Sequence, residues 1–122
     1  MKNEYSPIYM LDRVCVVIEK KTPYLNWIRN LPDPDLETSL EDLNREPSCY
    51  LIPNYEVSGD ELEEYLQEMS IEVFEQEMAS WWTEENDWEQ DLSWENFSRW
   101  FGFKFISMVV DLGKHEIERV EM

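Results

Sequence analysis

The side chains with the greatest capacity for chemistry in this chain are its carboxylates, 28 Asp and Glu in 122 residues. Two carboxylates at a suitable separation can serve as general acid and base when the pKa of one is raised. One or two are enough to hold Mg²⁺ together with substrate oxygens. A chain so rich in acids offers such pairs by chance, and none stands in a recognisable motif. An enzyme that uses a carboxylate pair, with or without a divalent cation, is therefore the alternative hypothesis, and no catalytic or metal-binding residue is assigned.

The remaining reactive side chains indicate no catalytic centre and no cofactor. His115 is the only histidine and lies in a polar segment, as is typical of a solvated surface residue. The sequence contains no GxSxG, HExxH or glycine-rich phosphate loop. Cys15 and Cys49 lie in apolar stretches without CxxC spacing. We therefore predict two reduced cysteines that pack as small core residues, in a protein located by default in the cytoplasm.

The net charge of −18 is concentrated in the middle of the chain. Residues 46–98 hold sixteen acids and no Lys or Arg, whereas residues 1–45 carry −2 and residues 99–122 carry no net charge. Nucleic-acid binding requires clustered basic side chains, so direct binding to DNA or RNA is not expected. A surface of a single sign instead favours a basic protein as the partner.

Five of these acids share one face of the longest predicted helix. Their spacing of 3, 4, 4 and 3 residues places them within roughly 80° of one another, and they are Glu61, Glu64, Glu68, Glu72 and Glu75. Like charges one turn apart destabilise a helix by about 0.2–0.5 kcal/mol per pair, and no base is interleaved to relieve them. We interpret these five glutamates, the acidic face, as a binding surface for a basic partner. The alternative is a solvated face that only increases solubility.

Trp88 is the aromatic residue that stands apart from the predicted core. Most of the six tryptophans fall at helical core spacing beside other apolar residues, but Trp88 lies in the acidic connection Glu84-Glu-Asn-Asp-Trp-Glu-Gln-Asp. Aromatic side chains at desolvated centres dominate interface energetics. We therefore include Trp88 in the partner-binding set, with the alternative that it folds back to cover the core.

Apolar periodicity and capping residues predict seven elements. In chain order these are a strand over 13–20, a short helix after Thr22-Pro23, one helical turn over 39–43, a strand over 48–55, a helix from Asp60 to about Trp82, a helix over 94–101 and a strand over 103–112. Imperfect alternation at Phe105-Ile106 indicates a β-bulge. Residues 113–122 are expected to form a weak edge strand over 116–120 or a tail.

The order of these elements predicts a two-layer α+β fold in one domain spanning residues 1–122. Its mixed sheet has three to four strands in the order β-α-β-α-α-β, with helices packed mainly on one face. The alternative is an open α/β sheet covered on both faces. The first strand should be central, and its strand–helix–strand unit parallel if the two strands are neighbours. The predicted strand core consists of Val14, Val16, Ile18, Leu51, Phe105, Met108 and Val110. The longest apolar run, 14–18, is too short to cross a membrane.

Three segments of the chain carry a resemblance to known proteins. The segments Val-Val-Ile-Glu-Lys-Lys-Thr-Pro-Tyr-Leu-Asn-Trp27, Cys-Tyr-Leu-Ile-Pro53 and Ser107-Met-Val-Val-Asp-Leu112 occur in this order with an acidic, Trp-bearing helix between them. In this the chain resembles a family of small acidic bacterial proteins of unassigned function. The resemblance covers most of the chain but lies in core strands and turns, so it implies no ligand or activity. The favoured hypothesis is a non-enzymatic interaction or inhibitory protein whose acidic region, residues 46–98, binds a basic partner.

Overall fold

The α+β fold is confirmed by a computed structural model, which describes residues 8–54 and 58–122. The elements in chain order are β1 (Tyr9–Met10), β2 (Arg13–Lys20), α1 (Thr22–Arg29), α2 (Leu40–Leu43), β3 (Ser48–Pro53), α3 (Gly59–Ala79), a 3-10 turn (Glu85–Asp87), α4 (Trp94–Trp100), β4 (Phe101–Ile106) and β5 (Val110–Asp111). In the described parts of the chain, no helix combines the length and the apolar character needed to cross a membrane.

The main sheet has the order β3-β2-β4, so the first long strand is central, as predicted. Both of its pairings are antiparallel, and the expected parallel strand–helix–strand unit is therefore wrong. The chain leaves β2 at Lys20 and re-enters the sheet at the same end, where Ile18 is opposite Ser48. Asn44 closes this return, because its side-chain oxygen accepts from the Lys20 N–H at 2.7 Å and its amide donates to the Lys20 carbonyl at 2.9 Å.

The core lies between one face of this sheet and the helices. Side chains alternate along a strand, so Val14, Val16 and Ile18 share the face that is buried. The helices contribute their buried residues to the same cluster: Tyr24 and Ile28 from α1, Leu66, Val73, Phe74 and Met78 from α3, and Phe97 and Trp100 from α4. Edge-to-face ring contacts connect these layers, for example Phe74 to Phe101 with ring centroids 5.2 Å apart.

Four residues of the predicted strand core are not fully buried. Leu51 is 48% exposed because it is opposite Cys15 on the open face of the sheet, whereas Ile52 is opposite Val14 and fills the core. Met108 is exposed because β4 ends at Ile106 and residues 107–109 are irregular. Phe105 and Val110 are half-buried.

The strand predicted over 103–112 is interrupted after the predicted bulge site. Cys15 is opposite Ile106 and Met10 is opposite Val110. Between these two pairs, the four residues 11–14 on one side correspond to the three residues 107–109 on the other. Phe105 and Ile106 pair one to one with Val16 and Cys15, so the predicted bulge at these two residues is wrong, and β5 pairs with β1 in a separate sheet. Beyond Asp111 the structure contains no strand or helix, and residues 113–122 form the predicted tail.

Cys15 and Cys49 are joined in a disulfide between β2 and β3, with their Cα atoms 6.1 Å apart. The prediction of two reduced core residues is therefore wrong. Cys15 is buried, but Cys49 is exposed on the open face of the sheet. The Cα separation lies within the range that a disulfide spans without backbone movement.

Candidate functional site

The acidic face lies on the outer side of α3, away from the sheet. Glu61, Glu64, Glu68 and Glu72 are exposed and Glu75 is half-buried, whereas the buried residues of the helix face the core. Glu61 has a second role at the helix start, since its carboxylate accepts from the Ser58 N–H at 3.0 Å in a capping box. The three glutamates of the middle turns, at 64, 68 and 72, have no comparable structural contact in the described part of the chain.

No cation neutralises the acidic face within residues 8–54 and 58–122. The ion pairs there join Arg13 to Asp12, Lys20 to Glu77, Arg45 to Asp42 and Arg99 to Asp91. None of them includes a glutamate of the acidic face. Among the described residues, no ion pair therefore relieves the repulsion predicted from the sequence.

An apolar side chain lies at the edge of this surface, and reasoning from the sequence missed it. Ile71 is 50% exposed. It lies three residues after Glu68 and four before Glu75, so it neighbours both on the helix surface. Met69 is also exposed on the same helix. The exposure of Ile71 could have been predicted from the sequence, because this residue falls outside the apolar stripe of the helix that contains Leu66, Val73 and Phe74.

Trp88 covers the core instead of projecting from it, which corresponds to the alternative interpretation. It is half-buried and packs against the core cluster. Its indole N–H donates to the Trp82 carbonyl at 2.7 Å. The acidic connection is held in the same way by two further indoles, because Trp27 donates to the Asp87 carbonyl at 2.9 Å and Trp82 to the Asp87 carboxylate at 3.0 Å.

One glutamate of α3 faces the interior and forms a polar cluster that the sequence analysis did not identify. Glu77 is 2% exposed, and its Oε1 atom lies 3.1 Å from Lys20 Nζ. The same oxygen accepts from the Ser48 hydroxyl at 3.0 Å, and Oε2 accepts from the Tyr50 hydroxyl at 2.5 Å. The Tyr24 hydroxyl donates to the Glu77 carbonyl at 2.7 Å. These contacts fix α3 to the two strands β2 and β3.

The cluster keeps its tyrosines protonated. Burial, reinforced by the hydrogen bond to Glu77 and the negative charge of that residue, raises the pKa of Tyr50 far above its ordinary value. Burial raises the pKa of Tyr24 as well, with a further contribution from the Glu77 charge. The Lys20 side chain is only 9% exposed and Glu77 only 2%, so both partners of the ion pair are largely shielded from solvent. We interpret the cluster as the attachment of α3 to the sheet and not as a reaction centre.

The other candidate groups do not converge on a site. His115 is exposed in the C-terminal tail, as predicted for a solvated residue. In the described ranges, no three His, Cys, Asp or Glu side chains are grouped in a way that could hold a metal ion.

No family model matches this chain, and no curated protein or solved structure matches it either. The resemblance to small acidic bacterial proteins therefore stays a prediction from the sequence.

Proposed function

We propose that this protein is a non-enzymatic interaction or inhibitory protein whose acidic face binds a Lys- and Arg-rich surface on a partner protein. The observation that carries the proposal is a set of exposed glutamates at 64, 68 and 72 that have no ion-pair partner among the described residues, beside the exposed side chain of Ile71. Charges of one sign speed association with a basic partner, and an adjacent apolar side chain that is buried on binding slows dissociation.

The energetics of α3 support this proposal. Four neighbouring pairs of like charge run along the face, from Glu61 to Glu75, and together they destabilise the helix by roughly 1–2 kcal/mol. A basic surface would remove this repulsion on binding. The helix meets its partner already in place, because Glu77 fixes it to the sheet, and a rigid surface loses less conformational entropy when it binds.

The glutamates, Trp88 and Ile71 have different roles in this proposal. The glutamates of the acidic face would contact the partner directly. Trp88 would act by fixing the connection after α3, because its indole is engaged within the fold, and Ile71 would provide the apolar contact. The Cys15–Cys49 disulfide removes the argument for a cytoplasmic location, because disulfides are rare in that compartment.

The test compares two triple variants with equal changes in charge. Glu64→Lys/Glu68→Lys/Glu72→Lys reverses the face, and Glu37→Lys/Glu41→Lys/Glu118→Lys makes the same change at exposed positions outside residues 46–98. Wild type and both variants are used as bait in native lysate, and the captured protein is eluted with a salt gradient, purified and studied by stopped-flow kinetics. Only the reversed face should slow association, by about tenfold or more at low salt. Raising the salt from about 0.01 M to 0.1 M shortens the Debye length from about 30 Å to 10 Å and should slow the wild type too.

Ile71→Ala separates the apolar contact from the charges. It should leave the association rate unchanged and raise the dissociation rate about 5- to 30-fold, as expected for an interface residue worth 1–2 kcal/mol. A partner that binds the reversed face as fast as the wild type, with the same salt response, would show that the acidic face is only a solvated surface.

A further inference from the structure

The Cys15–Cys49 disulfide joins the central strand β2 to the edge strand β3. Cys15 is opposite Leu51 and Cys49 is opposite Val17, so the bond runs diagonally between the two strands. Cys15 is only 9% exposed, whereas Cys49 is exposed on the open face of the sheet. A thiol in solution can therefore approach the bond from the Cys49 side, and such access is a condition of thiol–disulfide exchange.

β3 has little packing of its own to hold it against β2. Of its six residues one, Ile52, is buried. The other edge strand of the same sheet, β4, begins at the buried Phe101, directly after the buried Trp100 of α4, and its pairing with β2 contains no disulfide. A weakly packed edge strand can open locally while the rest of a fold stays intact. The disulfide prevents this opening at β3.

Cys49 lies between two residues that hold α3. Ser48 and Tyr50 flank it in the sequence, and because side chains alternate along a strand, both point to the opposite face of the sheet. Their hydroxyls donate to the Glu77 carboxylate at 3.0 and 2.5 Å. Opening of β3 would remove both donors from Glu77 and leave it the ion pair with Lys20. The state of the disulfide is therefore coupled to the attachment of α3 through the two neighbours of Cys49.

We propose that the Cys15–Cys49 bond is a redox switch that controls the local opening of β3 and, through Glu77, the attachment of α3 to the sheet. In the oxidised chain β3 is tethered and α3 is fixed. In the reduced chain β3 opens and the end of α3 near Glu77 loosens. The acidic face lies on α3, so the regulatory consequence, weaker binding by a less rigid surface, rests on the function proposed above.

The reductant is a dithiol, and the exchange takes two steps. One thiolate of the dithiol attacks Sγ of Cys49, the S–S bond breaks, and Sγ of Cys15 leaves as a thiolate that takes up a proton. The second thiol of the reductant then attacks its own sulfur in the mixed disulfide and releases the Cys49 thiolate, which is protonated in turn. Two electrons and two protons thus pass to the protein, which gains two thiols, and the dithiol becomes a disulfide.

The test is hydrogen–deuterium exchange of the free full chain, oxidised and after treatment with dithiothreitol under native conditions. Alkylation with iodoacetamide counts the thiols. Reduction should accelerate exchange in residues 48–53 and 75–79 at least about tenfold more than in residues 101–106. Residues 101–106 form the matched control, because β4 is the other edge strand on β2 and is not cross-linked to it. Cys15→Ser/Cys49→Ser should exchange like the reduced chain and should not respond to dithiothreitol.

Three results would overturn the proposal. The first is a bond that dithiothreitol reduces only after the chain has been unfolded. The second is acceleration by the same factor in all three segments, since that is the behaviour of a disulfide that only stabilises the whole fold. The third is acceleration confined to residues 48–53, which would show that α3 is not coupled to the bond. These measurements contain no partner, so their failure leaves the proposed binding function standing, and failure of the binding test with the oxidised chain leaves the switch standing.

Discussion

Glu77→Gln should be the most destabilising isosteric change on α3. The carboxylate lies 3.1 Å from the Lys20 ammonium and accepts from the Ser48 and Tyr50 hydroxyls. Glutamine keeps the shape but has only one accepting oxygen, so its NH₂ group must face donors. It also leaves the Lys20 charge, on a side chain that is 9% exposed, without a counter-charge.

The expected loss is about 3–5 kcal/mol, the usual cost of removing one partner of a buried ion pair. Total stabilities of domains are about 5–15 kcal/mol, so a large part of the folding free energy depends on this one group. For a chain of this length the melting temperature should fall by roughly 10–20 °C. The matched control is Glu68→Gln, an exposed glutamate on the same helix, which should change stability by no more than about 0.5 kcal/mol.

The assay is urea unfolding followed by circular dichroism, arranged as a double-mutant cycle with Lys20→Met. If the unpaired ammonium causes most of the loss, Lys20→Met/Glu77→Gln should be more stable than Glu77→Gln alone, by about 1–2 kcal/mol. Equal losses for Glu77→Gln and Glu68→Gln, or strictly additive effects in the cycle, would refute the reasoning that this ion pair fixes α3 to the sheet.

Two further predictions concern the same region. The pKa values of Tyr24 and Tyr50 are raised in the folded state. Their contribution to stability is therefore complete below the unfolded pKa of about 10 and is lost as the pH rises beyond it. Absorbance at 295 nm should show two tyrosines that ionise only on alkaline unfolding, and only one such tyrosine in the variant Tyr50→Phe. Reduction of the Cys15–Cys49 disulfide, or the double variant Cys15→Ser/Cys49→Ser, should lower the free energy of unfolding by up to about 3–4 kcal/mol. The reason is that the bond closes a loop with a sequence separation of 34. Equal urea midpoints for the oxidised and reduced chains would contradict this prediction.

Local sequence was sufficient to predict the type of most elements. The apolar run of β2, the Thr22-Pro23 start of α1, the uninterrupted helical pattern of α3 and the Ser93 cap of α4 all depend on neighbouring residues, and all four elements are present. The acidic face was predicted for the same reason, since spacing along a single helix determines which side chains share a side. Net charge and its distribution are likewise properties of the sequence alone.

Only the tertiary structure decided what depends on contacts between distant residues. Residues 48–53 are apolar without clear alternation, so pairing with β2 determined that Ile52 faces the core and Leu51 the open side. The same register places Cys49 within reach of Cys15. Glu77 lies on the buried stripe of α3, yet a carboxylate is tolerated there only because β2 and β3 deliver Lys20, Ser48 and Tyr50 to it. A buried charge is stable only with its partners in place, and those partners are 27 to 57 residues away in the sequence.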